Sequence, residues 1–408
     1  MKILVLNSGS SSQKSALFEL GPEPSPDPIA PLWEGKLEWD GNHEALTVRN
    51  SKGQKLHAEA EVRAEERHIS VEKMLSNLWS GTTAVLNTTA EISVVGHRIV
   101  HGGPKMSEPI AVTKEVKQAI SEVSSIAPLH NKPGLQGIEL IEKLLPKTLQ
   151  IAVFDTGFHH NLPLETQVYP GPYEWYERGI RRYGFHGINH QYCAHRTAQL
   201  LGREISSLKI ITCHLGNGCS LAAIDGGKSV DTTMGFTPLE GLMMGTRSGS
   251  IDPGILTFLM RGEHPNEQQL DALLNHKSGL LGVSGVSSDM RDIVKSTQDG
   301  NKRAKLAFDI FVHRLRMGIG VMAASLGGLD ALVFTAGIGE NSAEVRQAAC
   351  SKLEFLGIHL DSAANSAPSP DQDISSPTSR VPVLVIRAQE DWAIAQECAR
   401  VCQSRQPE

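Results

Sequence analysis

The sequence contains no run of eighteen or more apolar residues, no cluster of basic residues, and no cysteine pattern of a metal or disulfide framework. The first absence excludes an expected membrane-spanning helix. The second, with a net charge of -6, argues against a nucleic-acid partner. The six cysteines (Cys193, Cys213, Cys219, Cys350, Cys398, Cys402) carry no paired spacing, so a reducing, cytoplasmic setting is expected. Met1–Asn7 turns polar after four apolar residues, too few for the core of a secretory signal. What remains is a 408-residue chain, 40% hydrophobic and 21% charged, the make-up of a soluble, globular, enzyme-sized protein. Its length exceeds one ordinary core, so two domains are expected.

Glycine-rich turns organise the chain. Lys2–Leu6 is an apolar run ending in Asn7-Ser-Gly-Ser-Ser-Ser12, and Ser15–Leu20 resumes as a second strand. A small, hydroxyl-rich turn between strands offers open backbone N–H groups, a concavity suited to phosphate. The plan recurs about two hundred residues on, where Lys209–Leu215 runs apolar, Gly216–Ser220 turns and Leu221–Ile224 returns. Two such hairpins indicate an internal duplication, with a hinge near Thr156–Phe158.

Between the hairpins, strand-like stretches fall at Trp33–Trp39 and Ala45–Val48, and helical periodicity at Val71–Trp79, Glu115–Ile126 and Ile138–Leu145. Val94–Gly103 reads as a strand entering a glycine turn with Arg98 at its mouth. Leu149–Phe154 ends at Asp155, the edge where α/β proteins place reactive groups. Further on, Asn301–Leu326 is a long helix stopped by Gly327-Gly328. Strand Ala331–Thr335 then leads through the glycine turn Ala336–Ser342 into a helix from Ala343, a general anion or nucleotide site. Asp361–Arg380 is a polar loop, and strand Val381–Ile386 precedes a final helix. His97/His101 and His186/His190 have i, i+4 spacing, but they sit in glycine-broken segments without an intervening glutamate, against a zinc hydrolase.

Asp231–Pro253 follows no strand or helix period: four glycines and two prolines punctuate it, three methionines line it, and Arg247 is its one cation. A long, apolar, irregular segment is functional more often than disordered. It resembles the signature loop of the acetate kinases, whose arginine meets the phosphoryl group in transfer. That family commonly reads Ser-Gly-Asp before Ile-Asp-Pro, whereas Ser250 stands here. The turn Asn7–Ser12, Gly96-His-Arg-Ile-Val-His-Gly-Gly103, Ala127-Pro-Leu-His-Asn131, Val153-Phe-Asp-Thr-Gly-Phe-His159, Tyr183-Gly-Phe-His-Gly187, His214-Leu-Gly-Asn-Gly218, Asp289-Met-Arg291 and Gly337-Ile-Gly-Glu-Asn341 are similar to that family's motifs, in order.

The resemblance implies an α/β architecture, the duplicated actin-like, ribonuclease H-like ATPase fold, with two domains of mixed sheets flanked by helices. It implies a first domain of 1–154 plus 391–408, and a second of 158–388 holding the nucleotide segments and a dimer interface. A homodimer, an active site between the domains, ATP/ADP as co-substrate and Mg²⁺, for which Mn²⁺ can substitute, follow in the same way. By the same resemblance Asn7 and Glu390 place the metal, and Ser10, Ser12 and Lys14 form the phosphate-contacting hairpin. His214, Leu215, Gly216, Asn217 and Gly218, then Asp289, Met290 and Arg291, then Gly337, Ile338, Gly339, Glu340 and Asn341, are implied to hold the nucleotide. Arg98 is implied to partner the acetate carboxylate, with Val100, Leu129, Phe185 and Pro238 as an apolar pocket for the methyl group. Asp155, His186 and Arg247 complete the implied catalytic set with Arg98. Two further departures are Ile188-Asn189 in place of Thr-Ser and Ala388-Gln389 in place of Thr-Asn.

These residue types suit one reaction. A carboxylate with a pKa of about 4.3 is already ionised at neutral pH and needs no general base to attack the γ-phosphate of ATP. The obstacle is bringing anion to anion, which calls for permanent cations and positioned donors. Asp155 is therefore expected to orient an arginine or water rather than accept a proton. Val100 is expected to share the strand face of Arg98 and limit the acid's length, with a propionate or butyrate kinase as the nearest rival. An actin-like filament or chaperone ATPase shares the turns but has no need of two arginines and a histidine around a small substrate.

Overall fold

Short apolar runs without polar alternation must be buried on both faces, and such runs build parallel sheets. The computed structural model of the chain describes residues 1–9, 12–21, 25, 27–123, 128–262 and 264–405; the side chains of residues 128–130 lie outside that description. Two units emerge, 1–157 with 389–408, and 158–388.

The first unit is built on strands β1 (Lys2–Ser8), β2 (Ser12–Glu19), β3 (Trp33–Asp40), β4 (His43–Asn50), β5 (Lys55–Glu61), β6 (Ile92–Ile99), β7 (Ile110–Ala111) and β8 (Leu149–Phe154). Their order is β5-β4-β3-β2-β1-β6-β8-β7. β1 and β2 form the expected hairpin, and β1, β6 and β8 run parallel, with Leu6 beside His97 and Ile99 beside Phe154. Helices Pro128–Leu144 and Glu390–Ser404 pack on β1 and β6. Gly96 makes the second contact close: a Cβ there would lie 2.6 Å from Cys398 Sγ.

The second unit repeats the plan with β9 (Lys209–Leu215), β10 (Cys219–Asp225), β11 (Lys228–Thr232), β12 (Ala331–Thr335), β13 (Gln372–Asp373) and β14 (Val383–Val385), in the order β11-β10-β9-β12-β14-β13. Again a hairpin, β9–β10, adjoins two parallel partners, β12 and β14. The pair of mixed sheets flanked by helices is the doubled plan of the actin-like ATPase fold. Helix Lys302–Leu326 has Asn301 as N-cap, its side chain accepting from Arg303 N and Ala304 N, and ends at left-handed Gly327.

Some expectations need correction. The strand expected over Val94–Gly103 ends at Ile99, so alternation along a strand does not place Val100 on the face of Arg98. The helix expected from Ile138 begins ten residues earlier, at Pro128, because Pro133 inside it hides its first turns. Ala336–Asn341 is a short helix rather than a glycine turn. The polar loop Asp361–Arg380 contains helix Ser362–Ser366 and β13. His190 lies within helix Gly187–Leu201, with His186 as its N-cap. Strand β5 was not foreseen; its alternating charged sequence is almost wholly exposed.

Burial sets a pH response. His97 is buried against Gln150 Oε1 at 2.7 Å, and desolvation pulls its pKa down to about 4; His159 is lowered to about 4 in the same way. Both folded-state values lie below the unfolded value of about 6.5, so the unfolded chain takes protons first as pH falls. Stability present at neutral pH should therefore fall from about pH 6.5 towards about pH 4, each histidine contributing up to ~1.4 kcal/mol per pH unit. Urea unfolding across this range should give a shallower slope for His97→Gln. An identical slope would show that His97 does not titrate on unfolding.

Candidate active site

In the first unit, the C-terminal ends of β1, β6 and β8 bring Asn7, Arg98 and Asp155 together. Arg98 Nη2 donates to Asp155 Oδ2 at 2.6 Å and Nη1 to Asn7 Oδ1 at 3.4 Å. Glu390 Oε2 lies 3.9 Å from Arg98 Nε. Asn7 Nδ2 in turn donates to Glu390 Oε2 at 3.1 Å and to Asp391 Oδ1 at 2.9 Å. Burial would lower the Arg98 pKa, but Asp155 and Glu390 raise it above its ordinary value, so the guanidinium stays charged. Asp391, which the motifs did not single out, has its carboxyl pKa raised by burial despite the bond from Asn7. Three carboxylates thus surround one guanidinium, a surplus of hard oxygen donors and negative charge.

Ser12 opens β2 and Lys14 is exposed on it, near enough to act on the charge of Asp391. Ser10 lies outside the described residues, as does the side chain of Leu129. Val100 is buried in the first unit just beyond β6.

In the second unit, Arg247 and His186 meet across Gly218. A Cβ at Gly218 would lie 3.0 Å from Arg247 Nη2 and 3.4 Å from His186 Nε2, so only glycine leaves the approach open. Arg247 donates through Nη1 to Pro238 O at 2.7 Å, and burial lowers its pKa. Among the described residues no carboxylate pairs with it. A guanidinium partly withdrawn from water without a counter-ion is a site for an anion. His186 has φ 57°, left-handed for a non-glycine residue, and its ring stacks on His214 at 3.9 Å. Such strain, of order 1–3 kcal/mol, concentrates at functional positions. Phe185 is fully buried, and its carbonyl accepts from His159 Nε2 at 3.1 Å.

The loop Asp231–Pro253 owes its shape to a residue that sequence reasoning missed. Arg182 Nη1 donates to the carbonyls of Thr232, Thr233 and Met234 at 2.9, 3.2 and 3.1 Å, and Nη2 to Glu240 Oε1 at 2.8 Å. Tyr169 also hydrogen-bonds Glu240. The departure Ser250 has a place in this frame: its hydroxyl accepts from Gly241 N at 3.0 Å, and its own N–H donates to Gly241 O.

The nucleotide-type segments line a cavity of about 920 Å³ in the second unit. Gly216, Asn217, Asp289, Met290, Arg291, Gly337, Ile338 and Asn341 form its wall; His214, Leu215, Gly218, Gly339 and Glu340 are not among its lining residues. Asp289 caps helix Met290–Gln298, accepting from Arg291 N at 2.8 Å and from its guanidinium at 2.6 Å. Val294, Lys295 and Gln298 also line the cavity; their helical spacing from Arg291 could have revealed them. Glu340 instead accepts Ala388 N–H at 2.9 Å. The departure Ala388 therefore acts through its backbone, which any residue but proline supplies. The other, Asn189, is buried and donates to His214 Nδ1 at 2.9 Å.

Residues 2–396 match the acetokinase family. The chain is 55% identical over 406 residues to an acetate kinase of a Cyanothece strain, covering 99% of each. It is 56% identical over 404 residues to an acetate kinase of Nostoc punctiforme, covering 98% of this chain and 99% of the other. Among solved structures, it resembles an acetate kinase of Porphyromonas gingivalis (42% identity, TM-score 0.89, 98% and 99% covered). It also resembles a propionate kinase of Francisella tularensis (36% identity, TM-score 0.86, 97% and 98% covered).

Arg182→Met should loosen the central loop while sparing the sheet. Carbonyls left without a donor cost about 1–3 kcal/mol. Amide exchange over residues 232–250 should accelerate by about ten- to a hundredfold, with β9 and β12 still protected. Unaltered exchange would show that the loop holds itself.

Proposed function

The chain belongs to the acetokinase family, and on that premise we propose that it is an acetate kinase, a phosphotransferase with a carboxyl group as acceptor. It transfers the γ-phosphoryl group of ATP reversibly and in line to acetate, forming acetyl phosphate and ADP. The observation that carries the reading at the site is Arg247, a partly buried cation with no carboxylate partner among the described residues, beside His186 Nε2.

In this reading the acetate carboxylate meets Arg98, whose plane is held by Asp155. The 2.6 Å bond to a permanent cation supports Asp155 as an orienting group, since a carboxylate so engaged is a poor proton acceptor. Arg247 and His186 face the phosphoryl group and hold the charge that builds on its equatorial oxygens. The 920 Å³ cavity takes the nucleoside end of ATP, with Asn341 and the Arg291 side chain at its wall. By the family resemblance Ser12 and Lys14 serve the phosphates, and Val100, Phe185 and Pro238 the methyl group.

The first-unit cluster fits a divalent cation: Asn7, Glu390 and Asp391 are hard oxygen donors, and carboxylates outnumber guanidinium there. Mg²⁺ characteristically takes one or two protein carboxylates and completes its shell with water and substrate phosphate. We assign Asn7 and Glu390 to it, and bound Mg²⁺ would neutralise phosphate charge. We also propose a homodimer, supported by exposed Ile255, Phe258 and Met260 on helix Pro253–Gly262 and by Met317 and Val321 on helix Lys302–Leu326. A cytoplasmic location fits six cysteines of which none forms a disulfide.

Trapping acyl phosphate as hydroxamate with ATP and Mg²⁺, in parallel with acetate, propionate and butyrate, tests the function; acetate should give the highest kcat/KM. A preference for propionate would replace the acceptor, and no product from any acid would overturn the reading. Arg247→Leu should lower kcat by roughly 10³-fold while the protein stays folded. More than a tenth of the activity retained would remove Arg247 from its role. For Asp155→Asn, the pH dependence of kcat should lose no ionisation; disappearance of one would return Asp155 to proton transfer.

A further inference from the structure

A chain of hydrogen bonds runs from His186 into the core of the second unit. We infer that Thr212, His190 and Ser220 form a relay that decides which ring nitrogen of His186 carries its proton. The inference rests on the reading of His186 as a donor to the transferring phosphoryl group.

His186 Nδ1 lies 2.8 Å from Ser220 Oγ, which lies 2.8 Å from His190 Nε2; His190 Nδ1 lies 2.6 Å from Thr212 Oγ1. Thr212, His190 and Ser220 are fully buried. A relay of this kind could point either way, but the hydroxyl hydrogen of Thr212 breaks the symmetry. Among the described residues His190 Nδ1 is its sole partner. Were Nδ1 protonated, the Thr212 hydroxyl would be a buried donor without an acceptor, which folded proteins avoid. Every hydrogen is used only if the bonds run outward: Thr212 O–H donates to His190 Nδ1, His190 Nε2–H to Ser220 Oγ, and Ser220 O–H to His186 Nδ1. Neutral His186 then keeps its hydrogen on Nε2, the atom that faces Arg247 across Gly218.

The relay requires a neutral His190. Its ring neighbours are His159, His186 and His214, at 5.6, 6.4 and 6.1 Å, and burial holds its pKa well below the ordinary value. Ser220 and His190 are thus positioning residues, acting on the phosphoryl group only through His186.

The test is ¹⁵N NMR of histidine-labelled protein, alongside steady-state kinetics. Wild-type His186 should show the Nε2–H tautomer. Ser220→Ala and His190→Leu should each give mixed tautomers and a kcat lower by roughly 10²-fold, the usual effect of a lost or misdirected donor. KM for ATP and acetate should stay near wild type. His190→Gln, whose amide nitrogen can stand where Nε2 stood and donate to Ser220, should recover the tautomer and most of kcat. Thermal unfolding tells a lost fold from a lost relay, and Ser220→Ala, the smallest change, carries the test if His190→Leu does not fold. A wild-type Nδ1–H tautomer, or a His186 signal unchanged in Ser220→Ala, would overturn the proposal. So would His190→Gln as impaired as His190→Leu. A wild type that shows the expected tautomer but forms no acyl phosphate would refute the functional reading and leave the relay standing.

Discussion

Parallel strands all end at the same edge of a sheet, and that geometric fact governs this protein's chemistry. In the first unit β1, β6 and β8 share an edge, so Asn7, Arg98 and Asp155, distant in sequence, emerge side by side. In the second, β9 and β12 set His214 beside Thr335, directly before the helix whose Gly337 and Asn341 line the cavity. The strands are buried on both faces, so a one-residue slip would strand side chains and misplace every terminal group.

The two arginines, Arg98 near the end of β6 and Arg247 in the loop 231–253, meet opposite electrostatic circumstances. Arg98 is compensated by Asp155 and approached by Glu390, which hold its charge and its orientation. Among the described residues Arg247 has only a backbone carbonyl to lean on, which leaves it available to an anion. In the proposed reaction Arg98 would suit an acceptor that must be aligned before it reacts, and Arg247 a charge that appears only during transfer. The strain at His186 and the glycine at 218 serve the second need, since both clear the approach to the same point.

The departures from the family pattern show how substitutions beside a site are absorbed. Ser250 and Ala388 act through bonds to the backbone of Gly241 and the carboxylate of Glu340. Asn189 supplies a donor to His214, holding the Nδ1 of a ring that stacks on His186. None of these bonds involves Arg247 or the ring nitrogens of His186.

The duplicated plan was legible in the sequence because it is written in local signals: apolar runs of strand length, small polar turns between them, and the cap and glycine stop of helix Lys302–Leu326. The charged groups at strand ends were legible for the same reason. What local pattern could not carry was direction and partnership across long separations. Glu340 faces Ala388 rather than the cavity, Arg182 holds a loop fifty residues away, and Thr212, His190 and Ser220 converge behind His186. A side chain's period tells which face it occupies, but hydrogen bonds depend on the position of one atom relative to another, within a few tenths of an ångström. Only packing of the sheet, its helices and the central loop sets that position, and so the choice of partners belonged to the tertiary structure.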